Sequence, residues 1–121
     1  MTDAKNRDAE MLEEMRWAVE HIEFELDEVN RVAFEKNVSK QASIAFFIMA
    51  LGDAAGNVSR RTKNAHPEIP WDDLAGRRYR PAHRARDYLS QDAAETWRFL
   101  KDRMPKLARQ LRGVRPAPAH P

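Results

Sequence analysis

Apolar residues recur along the first third of the chain at alternating three- and four-residue steps: Leu12, Met15, Val19, Ile22, Leu26, Val29 and Ala33. A helix turns once in 3.6 residues, so this spacing gathers them on one stripe, read as a core or dimer seam that Trp17 and Phe24 widen. A second segment starts near Ser39 and is almost continuously apolar over residues 42–51. Its few β-branched residues favour helix over strand, and its composition predicts the most buried helix of a bundle. Residues 61–70, with Asn64, His66 and two prolines, break the periodicity and read as a connector, after which Trp71 closes the bundle over a short helix. Asp92 followed by Glu95 resembles a capping box that starts a final helix with the stripe Ala93, Trp97, Leu100, Met104, Leu107 and Leu111. Pro105 should kink or end that helix. With no strand pattern, glycine-rich phosphate loop, nucleophile elbow or internal repeat, the chain reads as an all-α, up-and-down bundle of four to five helices. The bundle is expected over residues 1–112, with the proline-rich residues 113–121 as a flexible C-terminal tail.

Composition narrows the setting. A chain of 121 residues with 42% hydrophobic content suits one domain. The absence of cysteine excludes thiol catalysis, thiolate metal sites and disulfides, and fits a reducing cytosol. No apolar run is long enough to span a bilayer and the opening MTDAKNRDAE is too polar for a secretory signal, so the expectation is a cytoplasmic protein with no membrane partner. The net charge of +2 hides a division: residues 1–59 hold six basic and twelve acidic side chains, residues 60–121 fifteen and seven. The basic half is suited to a polyanion such as RNA, and equally to packing against the acidic half.

The most basic stretch, residues 69–86, reads IPWDDLAGRRYRPAHRAR and places Arg78 and His83 with four residues between them. Imidazole exchanges protons near neutral pH, and guanidinium grips phosphate oxygens with a planar fork. On RNA the 2′-hydroxyl is a built-in nucleophile, so this pair needs neither cofactor nor metal to cleave a strand. Arginine-rich segments with one histidine also occur on solvated surfaces. Pro81 lies between the two residues and would strain an unbroken helix by about 3 kcal/mol, so a helix starts or kinks there. Positions five apart on a regular helix diverge by about 140 degrees, which makes Arg80, three from His83, a rival to Arg78. Asp87, four beyond His83, is placed to hold the imidazole. Asp53 follows the apolar run and either enters the interior or a cleft, where it would orient Arg78 or His83, or remains a solvated acid. His21 is isolated from other metal-ligating residues and reads as structural or superficial.

The pattern IPW, four residues, Gly, one residue, Arg, four residues, His resembles the signature of HepT-like toxins of the helical HEPN superfamily. The similarity extends upstream through LGDAAGNVS (residues 51–59) and HPEIPW (66–71), and downstream through Asp92, Trp97 and MPKL (104–107), covering roughly residues 12–107. The resemblance implies a HEPN-like bundle acting as a homodimeric, metal-independent endoribonuclease toxin whose antitoxin is a minimal nucleotidyltransferase. Arg78 and His83 would be its catalytic residues, with Asp53, Tyr79 and Arg80 in support. Such antitoxins attach AMP to a tyrosine near the histidine. The chain departs from the pattern in having Tyr79 where the family usually has Asn, Ala85 where the modified tyrosine stands, and Pro81 inside the motif. A three-residue insertion after His83 would bring Tyr88 to the tyrosine's place. These departures also fit a second reading, a degenerate, non-catalytic HEPN module that binds RNA or a nucleotidyltransferase.

Overall fold

The computed structural model describes residues 4–77 and 93–118. All regular structure among them is helical: α1 (Ala4–Leu26), α2 (Arg31–Lys36), α3 (Val38–Gly56), α4 (Arg60–Ala65), α5 (Trp71–Ala75), α6 (Ala93–Asp102) and α7 (Met104–Arg112). The expected all-α bundle is present, with short helices added where the sequence pattern showed connectors. Helix α3 packs against α1 and α5, α7 against α1 and α6, and α2 bridges α3 and α6. No helix among the described residues is long and apolar enough to cross a membrane.

The first stripe holds through Leu12, Met15, Val19 and Ile22, all buried, but the helix stops at Leu26. Asp27 and Glu28 come next, and carboxylates are unfavourable beside the negative end of a helix dipole. Asn30 then starts α2 by accepting the N–H of Ala33 on its side chain, and Asn37 starts α3 by accepting that of Lys40. These two asparagine caps are the signals that the periodicity concealed. Val29 consequently packs from a turn, Ala33 is exposed, and Phe34 takes the buried place. Phe24, expected to widen the core stripe, is instead 78% exposed.

The turn carries the single positive φ of a non-glycine residue among the described residues, at Glu28 (58°). Left-handed backbone costs a side chain about 1–2 kcal/mol, part of which glycine would return as extra freedom when unfolded. Glu28→Gly should therefore raise stability by about 0.5–1 kcal/mol in urea denaturation.

Helix α3 is less enclosed than its composition suggests. Ile44, Ile48, Leu51, Ala54 and Ala55 are buried, whereas Val38, Ala42 and Phe46 face outward, Phe46 being 55% exposed. The predicted connector contains α4, because Ser59 accepts the N–H of Thr62 as its N-cap. Trp71 is 6% exposed at the start of α5, and its indole N–H donates to the His66 carbonyl at 2.9 Å, so it belongs to the core. The last stripe is confirmed from Leu100 through Met104, Leu107 and Leu111, and Phe99 joins it. It runs over two helices: Pro105 lies in the first turn of α7, where a missing amide hydrogen costs little, and the chain breaks at Arg103.

Buried Asp8 ties α1 to the start of α4. Asp8, 2% exposed on α1, accepts the N–H and hydroxyl of Ser59 and the hydroxyl of Thr62. Thr62 in turn accepts the N–H of Ala117. The residues set apart as a tail therefore begin as part of the bundle: Val114 is fully buried, and His66 bonds the backbone of Arg115. Proline content suggested freedom at this point, but these backbone groups find partners on α4 and its connector.

Candidate active site

The segment with the candidate chemistry is strung between α5 and α6. Arg78, Tyr79, Arg80, Pro81, His83, Asp87, Tyr88 and Asp92 lie outside the described residues, so the geometry concerns the two ends that hold them. On the entering side, Trp71 and Leu74 bury the inner face of α5. Phe99 and Leu100 do the same for α6 on the leaving side, while Glu95 sits in its first turn.

Arg77, immediately before Arg78, joins the two ends. Its guanidinium lies over the Phe99 ring, 3.9 Å from the centroid. It also reaches Asp73 on α5 at 3.6 Å and Glu95 on α6 at 3.5 Å. Asp73 receives a direct bond from Arg103 as well, at 2.8 Å. Both arginine contacts to carboxylates are long and the acids are substantially exposed, so each is worth no more than about 0.5 kcal/mol, and the ring contact about 1 kcal/mol. Together they bring the residue before the segment and the third residue after it onto one patch. Nothing in the spacing to His83 singles out Arg77; its signal in the sequence is an acid four residues earlier, at Asp73, in a short helix. Arg77→Ala should lower stability by about 1–2 kcal/mol and speed amide exchange at the start of α6 more than in α3.

Asp53 lies on α3 and is exposed, so of its two expected placements the interior one is excluded. Its backbone carbonyl accepts from the Asn57 side chain at 2.8 Å. The other histidines of the described residues are accounted for locally. His21 donates from Nδ1 to the Trp17 carbonyl and packs beside Trp17 and Phe47, the superficial structural place foreseen for it. His66 lies between Glu68 and the Arg115 carbonyl.

The bundle and the spacing within residues 69–86 meet in a family comparison. The family described as "Ribonuclease HepT-like" matches residues 15–114, an interval that contains α3, α5, the Arg78 to His83 segment and α7. The chain belongs to the HepT-like ribonuclease family. A protein of Thermococcus cleftensis named "Probable ribonuclease HepT" is 27% identical over 111 residues, covering 92% of this chain and 98% of its own length. A protein of Caldanaerobacter subterraneus subsp. tengcongensis named "Putative RNase" is 25% identical over 103 residues, covering 79% of this chain and 89% of its own. No solved structure matches the chain. Family membership and these relatives support a ribonuclease function for this chain.

Proposed function

We propose that the chain is a metal-independent endoribonuclease, the toxin of a pair whose antitoxin is a minimal nucleotidyltransferase. The observation that carries this reading is the HepT-like match across the Arg78 to His83 segment, on a bundle that pins both ends of that segment through Arg77. His83 takes the proton of the RNA 2′-hydroxyl as its oxygen attacks the adjacent phosphorus. Arg78, aided by Arg80, stabilises the charge gathering on the phosphate oxygens. The bond from phosphorus to the 5′-oxygen then breaks, that oxygen takes a proton from water, and His83 returns its own proton to the solvent. Tyr79 and Asp53 support the site, Asp53 from its exposed place on α3. The site acts in the cytoplasm.

A second copy belongs to this proposal. Val38, Ala42 and Phe46 form an outward stripe on α3, and Phe24 is exposed on the neighbouring α1. A homodimer joined there would remove these apolar groups from water and bring two motifs around one groove. Phe46→Glu should halve the mass measured by light scattering. Tyr88 is the proposed acceptor of AMP from the antitoxin. Mass spectrometry after incubation with the cognate nucleotidyltransferase and ATP should find a single AMP on the peptide holding Tyr88, and modification elsewhere would overturn that assignment.

Pro81 and Tyr79, both departures from the family pattern, favour the reading of a binding module without turnover. Purified protein incubated with single-stranded RNA in EDTA separates the two. The enzyme reading requires cleavage, and tight binding with intact RNA would replace it by the module.

A further inference from the structure

From Arg103 onward a cation stands at every third position: Arg103, Lys106, Arg109, Arg112 and Arg115. All five are exposed, and residues 103–118 contain no acid. Positions three apart on a helix are neighbours and form a ridge inclined by about 45 degrees to its axis. The cations on α7 thus cross its surface obliquely while Leu107, Ala108 and Leu111 anchor the opposite face in the core. One end of the ridge lies against α5, since Arg103 bonds the same Asp73 that Arg77 contacts. From Arg103 to Arg112 it rises about 14 Å along the axis.

The far end is built differently from a solvated face. Arg16 of α1 donates from Nε to the Leu111 carbonyl at 3.0 Å and from a terminal nitrogen to the Val114 carbonyl. Arg115 donates to the same Val114 carbonyl at 3.0 Å and to that of Arg112 at 3.1 Å. Two guanidinium groups therefore converge on one carbonyl oxygen, beside a cleft of about 480 Å³ that Arg112 also lines. Desolvation by burial and the charge of Arg115 both lower the Arg16 pKa, and Glu13 only partly opposes them. Among the described residues no carboxylate lies within ion-pair distance of Arg16, Arg112 or Arg115. Like charges held together by carbonyl dipoles leave donor capacity for an anion.

We infer that the ridge and the paired arginines form a track for the phosphates of single-stranded RNA, running from Arg103 beside α5 to the Arg16 and Arg115 pair. This rests on the ribonuclease reading for its choice of polyanion, and it adds a binding surface outside the Arg78 to His83 motif. The contacts are to phosphate, so the track secures affinity and leaves sequence unread. Each phosphate held on a single strand contributes about 0.7 to the slope of log affinity against log salt.

The test uses the full chain carrying His83→Ala and a fluorescein-labelled 20-nucleotide single-stranded RNA, followed by anisotropy over a range of salt. Adding Lys106→Gln and Arg109→Gln, whose side chains have no ion pair among the described residues, should lower the salt slope by about 1.4 and weaken binding several-fold. Arg16→Gln with Arg115→Gln should do the same, with circular dichroism reporting whether that pair still folds. An unchanged slope in the Lys106 and Arg109 variant would overturn the track. Titration with inorganic phosphate alone distinguishes the sources: saturation of the arginine pair by phosphate while RNA binding ignores all four substitutions would assign a free-anion site and likewise overturn it. Cleavage by the unsubstituted protein is scored separately, so binding that follows the prediction without cleavage removes the enzyme reading and leaves the track, and cleavage with an unchanged slope does the reverse.

Discussion

His83→Ala should lower the rate of RNA cleavage in EDTA by about 10²–10⁴-fold, the usual contribution of a positioned acid or base, while the helical circular-dichroism spectrum and the mass measured by light scattering stay as they were. Removing it leaves the arginines to bind phosphate, so RNA affinity should change little and the loss should fall in kcat. Arg78→Ala should cost about 10²–10³-fold, the scale of one donor lost from charge stabilisation in a transition state, and Arg80→Ala less. A larger loss at Arg80 than at Arg78 would reverse their roles, as helical spacing from His83 allows. Retained cleavage by His83→Ala would remove the imidazole from the mechanism.

Asp8→Ala should destabilise the fold by about 3 kcal/mol, a large part of the ~5–15 kcal/mol that holds a domain together. The carboxylate is nearly out of contact with water and takes three hydrogen bonds, from the Ser59 amide and from the hydroxyls of Ser59 and Thr62. Alanine leaves those donors facing an apolar hole, and the damage spreads: Ser59 caps α4, and Thr62 holds the amide of Ala117. Asp8→Asn, which keeps one acceptor oxygen, should lose about half as much. Thr62→Val should cost more alone than in the Asp8→Ala background, because the Thr62 hydroxyl has already lost its acceptor there. Urea denaturation reads all of these. Limited proteolysis adds a second signal, because release of Thr62 should expose the chain beyond Val114 to cutting. A loss below about 1 kcal/mol would mean that water replaces the carboxylate without penalty.

How far the fold was legible depended on which physical signal dominated each stretch. Where burial alone decides, periodicity sufficed, as for Leu12 to Ile22 on α1 and Leu100 to Leu111 on α6 and α7. Where a side chain offers the backbone an alternative partner, periodicity misled. Asn30 split a stripe that looked continuous from Leu12 to Ala33, and Ser59 started a helix inside an apparent connector. Asp8 was readable in retrospect, since it stands in register four residues before Leu12 on the buried stripe, but an acid there counts against burial until its donors on α4 are known. The tail needed the same long-range information from His66 and Thr62. For the site, the pattern from Ile69 to His83, with the blocks on either side of it, pointed to the family that the comparison shows, while Arg78 and His83 themselves lie outside the described residues. The Arg77 anchor was hidden, because its partners Asp73, Glu95 and Phe99 meet only once α5 and α6 are packed.

The account stands on a ribonuclease that uses the substrate's own 2′-hydroxyl. Its most direct test is mass spectrometry of the ends produced when the purified protein cuts a defined RNA in EDTA, alongside the same RNA carrying a single 2′-deoxy sugar at the cut site. The account predicts a 2′,3′-cyclic phosphate, a free 5′-hydroxyl and no cut at the deoxy position. Products ending in 3′-hydroxyl and 5′-phosphate, formed only when magnesium is restored, would contradict it.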